Sequence, residues 1–441
     1  MSPTRCLLPL LLGGLLSTTH AEAVKDREGA VRKDKADMQN DARWIYNDWQ
    51  KGFTEAKRTG KPLLIVLRCV PCLSCQGLDA SVLTSTELTP LLDQFVCVRL
   101  INANAIELAK FQFDYDLSFS TLFFNADGTL YGRYGSWTHQ KDPQERTTVG
   151  YKRSLEAALA IHAAYPVNKA ALAGKQGGPT PFATPIEIPL LATKYKRDLD
   201  WEGKVVGSCV HCHQVGDAYR AFYRDAGKPL PSELIYPMPM PETIGVSLEP
   251  DQIAKVKSVA PGSIAAKAGV QAGDEFTMLG GQLLLSIADF AWALHRAGDT
   301  ATLPAQATRT GKAVHFTLNL PADWRAKSDI SRRVGTWPMR GMATGGMILV
   351  DLTDEQRTAR GLGKDKLGLF VKGLGQYGKH AAAKNAGFQK DDVLIELNGQ
   401  SARLTEGEMI GQLLQNTKPG DKMKAAVLRG DKRVELILPM Q

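Results

Sequence analysis

Beyond its N-terminus the chain has no stretch long and apolar enough to cross a bilayer, so no integral membrane segment is expected. Charge blocks of one sign are missing too. The formal net charge is +8, yet Lys and Arg are interspersed with Asp and Glu, even in the Lys-rich stretch 25–35. A mixed surface of this kind argues against nucleic acid as a partner. There is no Gly-x-Ser-x-Gly nucleophile elbow and hence no serine-hydrolase signature of that type. Cysteine is sparse, 7 in 441 residues. After Cys6 the cysteines fall into two groups, Cys69, Cys72, Cys75 and Cys97, then Cys209 and Cys212. That clustering is too local for a disulfide framework spanning the protein and points to two separate redox sites.

At the N-terminus, Arg5 precedes the apolar run Leu7–Leu16, which is followed by Ala21-Glu22-Ala23. A charged start, a short apolar run and an A-x-A site are the pattern of a secretory signal. Residues 1–23 are therefore expected to be removed, 24–40 to form a mobile segment, and the rest to be periplasmic or extracellular. The length implies several domains.

Cys209-Val210-His211-Cys212-His213 is a C-x-x-C-H motif, the pattern that attaches haem c. Two thiols at this spacing can each bond one vinyl group of a porphyrin, and the next residue, His213, then faces the iron as a ligand. Pro237-Met238-Pro239-Met240-Pro241 follows. A thioether from Met238 or Met240 opposite His213 would suit electron transfer. The competing readings are a disulfide or half a zinc site for the cysteines, and a polyproline-like linker whose methionines only pack. His211 is expected to face solvent. Residues 190–243 form a short haem c segment that would need cover from its neighbours.

Before it, residues 43–58 read as an amphipathic helix stopped by Gly60-Lys61-Pro62. Leu63–Leu67 reads as a buried strand followed at once by Cys69, Cys72 and Cys75, and Val96–Ile101 as another. Thr121–Phe124, a turn at 125–128 and Leu130–Tyr134 read as a hairpin, and 152–164 as a closing helix. Cys97 reads as a packing residue. The order is α/β, over 41–165. Prolines and glycines accumulate in 166–189, which reads as a linker.

The stretch 60–135 resembles a thioredoxin-fold domain of the short thioredoxin-7-like kind, with Cys72-Leu73-Ser74-Cys75 at the redox motif and Gln76-Gly77-Leu78-Asp79 as its tail. The resemblance implies Cys72 as the attacking thiol and Cys75 as the resolving one, activated by a helix N-terminus. Two positions depart from the pattern: Ser120 stands where the fold carries a cis-proline, and Pro71 where an aromatic residue is usual. Cys69 adds a second C-x-x-C, so the pairing stays open, and a purely structural disulfide is the alternative.

The C-terminal half repeats itself. Ala265–Asp274 parallels 382–392, and a Gly-Gln pair follows each at 281 and 399. Each repeat then shows a helix (287–296, 406–414) and an alternating strand (314–320, 434–438). Both resemble bacterial PDZ domains, over 244–322 and 366–441, with 323–365 as a connector. The resemblance implies capture of a peptide or protein C-terminus by strand addition at Ile244-Gly245-Val246-Ser247, and at Leu367-Gly368-Leu369-Phe370 in the second copy. For the second copy a structural role is the preferred reading.

The expected fold class is therefore multidomain, α/β plus β-rich: a thioredoxin-like fold, a short cytochrome c-like haem segment and two PDZ-like domains. This order resembles an exported multidomain family, some of whose members carry selenocysteine in the thioredoxin-like motif. The expected function is an exported redox protein, with haem c for electron transfer, a Cys72/Cys75 dithiol (a possible thiol–disulfide oxidoreductase), a redox partner protein and PDZ peptide binding. The alternative is a non-catalytic PDZ scaffold whose cysteines are structural.

Overall fold

The computed structural model describes residues 26–70, 85–117, 119–135 and 147–441. The signal sequence lies outside them, as do Cys72 and Cys75. The segment 24–40, expected to be mobile, is a helix from its first described residues. Helix α1 (Arg27–Gln39) is capped by Asp26, whose side chain accepts from the Gly29 N–H. Its outward pattern is polar, which is why the sequence reads as loose. It is held by contacts far along the chain: Arg32 Nη2 donates to Gly203 O at 2.6 Å, and Tyr46 Oη to Asp34 Oδ2 at 3.0 Å. Asp34 also pairs with the buried Arg99.

The expected helix over 43–58 divides. Trp44–Tyr46 is a strand, β1, and α2 spans Trp49–Thr59. Asn47, with φ +57°, turns the chain between them, and Asp48 caps α2 by accepting from Lys51 N–H. The Asn47 side-chain oxygen accepts from Ile101 and Asn102 N–H at 2.8 and 3.0 Å, which fastens β1 beside the next strand but one. Gly60, at φ +71°, ends α2 in the left-handed region that glycine adopts without strain.

Strands β2 (Leu63–Arg68), β3 (Val96–Leu100), β4 (Phe119–Phe124) and β5 (Leu130–Tyr134) complete a sheet of order β1-β3-β2-β4-β5. β1, β3 and β2 run parallel, and β4 and β5 antiparallel to their neighbours. All of β2 is buried, and its alternate residues serve two cores. Leu64 and Val66 pack with Tyr151 and Leu155 of α3 (Thr148–Ala163), while Leu63, Ile65 and Leu67 pack with Trp49 and Ala56 of α2. Each such aliphatic side chain contributes about 1.5–3 kcal/mol on burial, so this strand is a rigid seat for the cysteines that follow it. Ser120 sits in the ladder opposite Leu67, 1% exposed. Cys97, as expected, is a packing residue: it is buried, and burial pushes its thiol up to about 12.

Residues 166–189 are a packed strap rather than a free linker. Trp292 Nε1 donates to Gly174 O at 2.9 Å, Arg133 Nη2 to Lys175 O at 2.7 Å, and Lys175 itself is fully buried. Prolines and glycines mark the irregular backbone, but not whether other domains cover it. The segment that follows carries α4 (Cys212–Asp225), whose Val215, Ala218 and Tyr219 pack on Leu108, Ile188, Leu191 and Tyr195.

The duplication is real in three dimensions. The first copy runs β6 (Val246–Leu248), β7 (Val256–Val259), β8 (Glu275–Leu279), β9 (Gln282–Leu283), α5 (Ile287–His295), β10 (Ala301–Arg309) and β11 (Lys312–Leu320). After α6 (Thr336–Ala343), the second runs β12 (Met347–Asp351), β13 (Leu369–Leu374), β14 (Val393–Leu397), α7 (Glu406–Asn416), β15 (Lys422–Arg429) and β16 (Lys432–Pro439). The second sheet has the order β12-β13-β14-β15-β16. In the first, β6-β7 and β8-β10-β11 follow the same order, joined by the bridge of Lys255 to Glu275. Each copy also carries the same clamp. Arg309 Nε and Nη2 meet Asp274 at 2.6 and 2.8 Å, with Nη2 also on Gly269 O. Arg429 meets Asp392 at 2.8 Å twice, and Gly387 O. β12 pairs along β13, so the second module begins near Met347 instead of 366, and most of the expected connector beyond that point belongs to it.

Candidate functional site

Cys69 follows directly on β2, at the end of the sheet where strand gives way to the cysteine-bearing stretch. Cys69 Sγ lies 3.0 Å from Nδ1 of His211, a residue 142 positions away and expected to face solvent. His211 precedes α4, where its backbone N–H donates to Gln214 Oε1 at 2.8 Å. The C-x-x-C-H motif is thereby folded onto the thioredoxin-like sheet. Cys69, Cys209, His211 and Cys212 together line one cavity of about 20 Å³, walled by Leu67 and Val70. A cavity of that size holds about one water molecule. Cys209 Sγ donates to Ile101 O at 3.3 Å, and Cys212 is 8% exposed in the core formed with Leu67, Leu100 and Phe113.

Cys212 is packed among thioredoxin-like core residues, while Cys209 is half-buried beside Val70, Ile101, Leu199 and Val205. His213, the expected iron ligand, has Nδ1 3.3 Å from Asp217 Oδ2 one turn along α4, a contact of the kind a metal-bound imidazole makes through its other ring nitrogen. Met238, expected opposite it with Met240, packs instead on Ala291 and Trp292 of α5, with Met240 beside it. Among the described residues no cluster of three or more His, Cys, Asp or Glu side chains could hold a metal ion. The motif spacing set up the haem expectation; the side chains that pack on Cys212, such as Leu67 and Leu100, come from the thioredoxin-like sheet far upstream.

A second cavity, of about 240 Å³, opens where the thioredoxin-like domain, α4 and α5 meet. Met238, Tyr219, Trp292 and His295 line it, and Cys209, Cys212 and His213 do not. The backbone N–H of Met238 donates to His295 Nδ1 at 3.4 Å. Burial lowers the His295 pKa to about 3, and Arg325, Arg296, Arg133 and Arg333 add to the effect. An unfolded chain would protonate this ring at about pH 6.5, so acid favours the unfolded state. The resulting stability is complete above about pH 6.5 and is lost as pH falls towards the folded value, by at most about 1.4 kcal/mol per pH unit. Part of the ring surface is still exposed, which makes that slope a ceiling. Urea denaturation is expected to show up to about 1.4 kcal/mol less stability at about pH 5.5 than at about pH 7.5, and His295→Leu to flatten the difference.

In the first repeat, Gly245 has φ +84°, and a Cβ there would stand 2.2 Å from the Ser263 side chain, so only glycine fits. Its carbonyl accepts from Ala260 N–H, and its own N–H is donated to Glu242 O at 2.9 Å. Ile244 and Val246 are buried, and Ser247 Oγ reaches Glu242. The matching turn of the second copy is Gly345-Gly346-Met347-Ile348, not Leu367–Phe370: Gly346 has φ +85°, its carbonyl accepts from Gly375 N–H, and its N–H goes to Arg340 O at 2.9 Å. The glycine at 368 misled because it precedes β13, the partner of β12, as β7 is the partner of β6. At the second copy's edge strand, Leu349 N–H is already held by Glu406 Oε1 at 2.8 Å, and Glu406 is paired with Arg340. That supports a structural role for this copy.

Comparison with known proteins agrees with these two architectures. Residues 44–126 match the thioredoxin-like family described as Thioredoxin_7, and residues 255–303 match a PDZ domain family. The periplasmic pH-dependent serine endoprotease DegQ of Escherichia coli (strain K12) is 32% identical over 152 residues, 34% of this chain. The chain spans 30% of that relative's length. Among solved structures, the HtrA-type protease AlgW with decapeptide is 21% identical, with coverage of 31% of this chain and 40% of that one and a TM-score of 0.20. AlgW with tripeptide gives 20% identity, 30% and 41% coverage and a TM-score of 0.19. Among the described residues no helix is long and apolar enough to cross a membrane. The chain therefore contains a thioredoxin-like domain and a PDZ domain, joined by a cysteine–histidine segment seated on the first.

Proposed function

We propose that this chain is an exported thiol–disulfide exchange protein whose PDZ modules help present it to protein partners. The observation that carries the reading is the contact of Cys69 Sγ with His211 Nδ1, 3.0 Å apart at the end of a fully buried strand of the thioredoxin-like sheet. Thiol exchange needs a thiolate, and an imidazole at hydrogen-bond distance is a group that can take the thiol proton. Cys72 and Cys75, expected to attack and resolve, lie outside the described residues and directly follow this site in sequence. Export is supported by the N-terminal sequence pattern and by the periplasmic relative. A partner peptide would pair with the outer edge of β6, since β7 occupies the other edge.

An insulin-reduction assay on the mature chain tests this. The chain is expected to accelerate reduction, Cys72→Ser to return it to the uncatalysed rate, and Cys69→Ser to slow it. An intact chain no faster than buffer would overturn the reading. The second reading, a binding scaffold, draws support from the buried ion pairs that lock the domains together, such as Lys175 with Asp289. It predicts a blank assay together with a retained partner.

A further inference from the structure

We infer that Cys209 and Cys212 form a second dithiol that exchanges its disulfide with Cys69, an intramolecular relay between the two cysteine groups. The inference rests on the thiol-exchange reading above and adds the partner of that site: the chain's own C-x-x-C pair.

Three observations converge. Cys69, Cys209, His211 and Cys212 line the same water-sized cavity, so Cys69 and the C-x-x-C pair face each other instead of pointing to separate surfaces. Their surroundings interlock as well: Cys209 packs with Val70, the residue after Cys69, and Cys212 with Leu67, two residues before it. His211, inside the C-x-x-C pair, is the residue that touches Cys69. The pair thus brings an imidazole to the Cys69 thiol and, once oxidised, would bring a disulfide to it as well. Cys212 is the first residue of α4, a helix of 14 residues, whose N-terminal dipole favours a thiolate there. Cys209 lies outside that helix and keeps some exposure.

The polarity of the exchange follows. The Cys69 thiol gives its proton to His211, and its thiolate attacks Sγ of Cys209. The Cys69–Cys209 bond forms as the Cys209–Cys212 bond breaks, and the electron pair leaves on Cys212, the sulfur at the helix N-terminus. His211 then returns the proton to Cys212. One thiol and one disulfide enter and one of each leaves, so no outside oxidant or reductant is needed for the step. A dithiol or disulfide protein outside the chain sets which way the pair is poised.

The test is disulfide mapping by mass spectrometry on the full mature chain. The reduced protein is oxidised with oxidised dithiothreitol, quenched with an alkylating agent and digested. In the unmutated chain a Cys209–Cys212 disulfide is expected, with a minor Cys69–Cys209 linked peptide at short times. In Cys212→Ser the thiol that would reverse the exchange is gone, so Cys69–Cys209 is expected to become the main species involving Cys209, and it should vanish in Cys69→Ser/Cys212→Ser. Absence of any Cys69–Cys209 or Cys69–Cys212 link in both the unmutated chain and Cys212→Ser would overturn the relay. So would a mature chain heavier by a porphyrin with both motif thiols blocked. Insulin reduction separates the two readings. Activity without the link removes the relay and leaves the proposed function, whereas the link without activity removes the proposed function and leaves the exchange.

Discussion

Replacing Asp289 with alanine is expected to cost the chain about 3–5 kcal/mol of stability, the usual loss when one member of a buried ion pair is removed. Asp289 and Lys175 are both fully buried, with Nζ 2.6 Å from Oδ2. The same carboxylate accepts from the backbone N–H of Arg133 at 3.0 Å and of Leu285 at 3.2 Å. One side chain on α5 thus holds the strap residue Lys175, strand β5 of the thioredoxin-like sheet and its own helix entry. Without it, Lys175 keeps a charge in a site where burial already lowers its pKa. Its choices are to carry that charge unpaired or to give up the proton, and both favour the unfolded state. Urea denaturation followed by tryptophan fluorescence measures the loss, since Trp292 sits on the same helix. The double change Lys175→Met with Asp289→Asn removes both charges and keeps an amide oxygen for the backbone donors. It is expected to recover most of the loss, as apolar replacement of buried pairs often does. Equal losses in single and double variants would show that the charge pair is not the cause.

Arg333→Met is expected to have a loss of similar size, again about 3–5 kcal/mol. Arg333 Nε lies 2.9 Å from Asp116 Oδ2, and its Nη2 bonds Asp114, both on the loop before β4. All three side chains are at most 10% exposed. Burial raises the Asp114 pKa against the pull of Arg333. Burial also pushes on Asp116, but Arg333 and Arg220 outweigh it and hold that carboxylate below its usual value. Removal of Arg333 leaves two buried carboxylates with the weaker help of Arg220, 3.9 Å from Asp116. Their folded pKa values must then rise above the unfolded value, and such groups destabilise only while ionised. The sign follows: the gap between Arg333→Met and the unmutated chain should be widest near neutral pH and narrow as acid protonates the pair. A gap that stays constant between about pH 7 and about pH 4.5 would rule out this electrostatic account.

Legibility differed from element to element. The buried strands β2 to β5, the hairpin and α3 were readable because each has a strong local period and clear turn residues. The repeat was readable from the small-residue helix and the glycine spacing, and the shared Arg–Asp–Gly clamp shows that those positions carry the same contacts in both copies. Local patterns failed where the deciding contact was distant. Asn47 breaks the first expected helix because it binds residues beyond β3. Residues 26–40 are ordered by Arg99 and by the backbone near Trp201. The carboxylate loop of the second repeat was placed one strand late, since Leu-Gly-Leu-Phe looks like the motif while strand order alone shows which glycine matches Gly245.

By itself the sequence determined the module types, their order, the duplication and the two cysteine groups, because these rest on short-range periodicity and spacing that the chain carries wherever it is folded. Only the tertiary structure decided what the C-x-x-C-H segment faces. Its spacing serves a porphyrin or a thiol partner equally well, and the fold adds which side chains of the first domain lie beside it. Those side chains belong to the sheet of another domain, brought there by packing between residues that no local pattern connects.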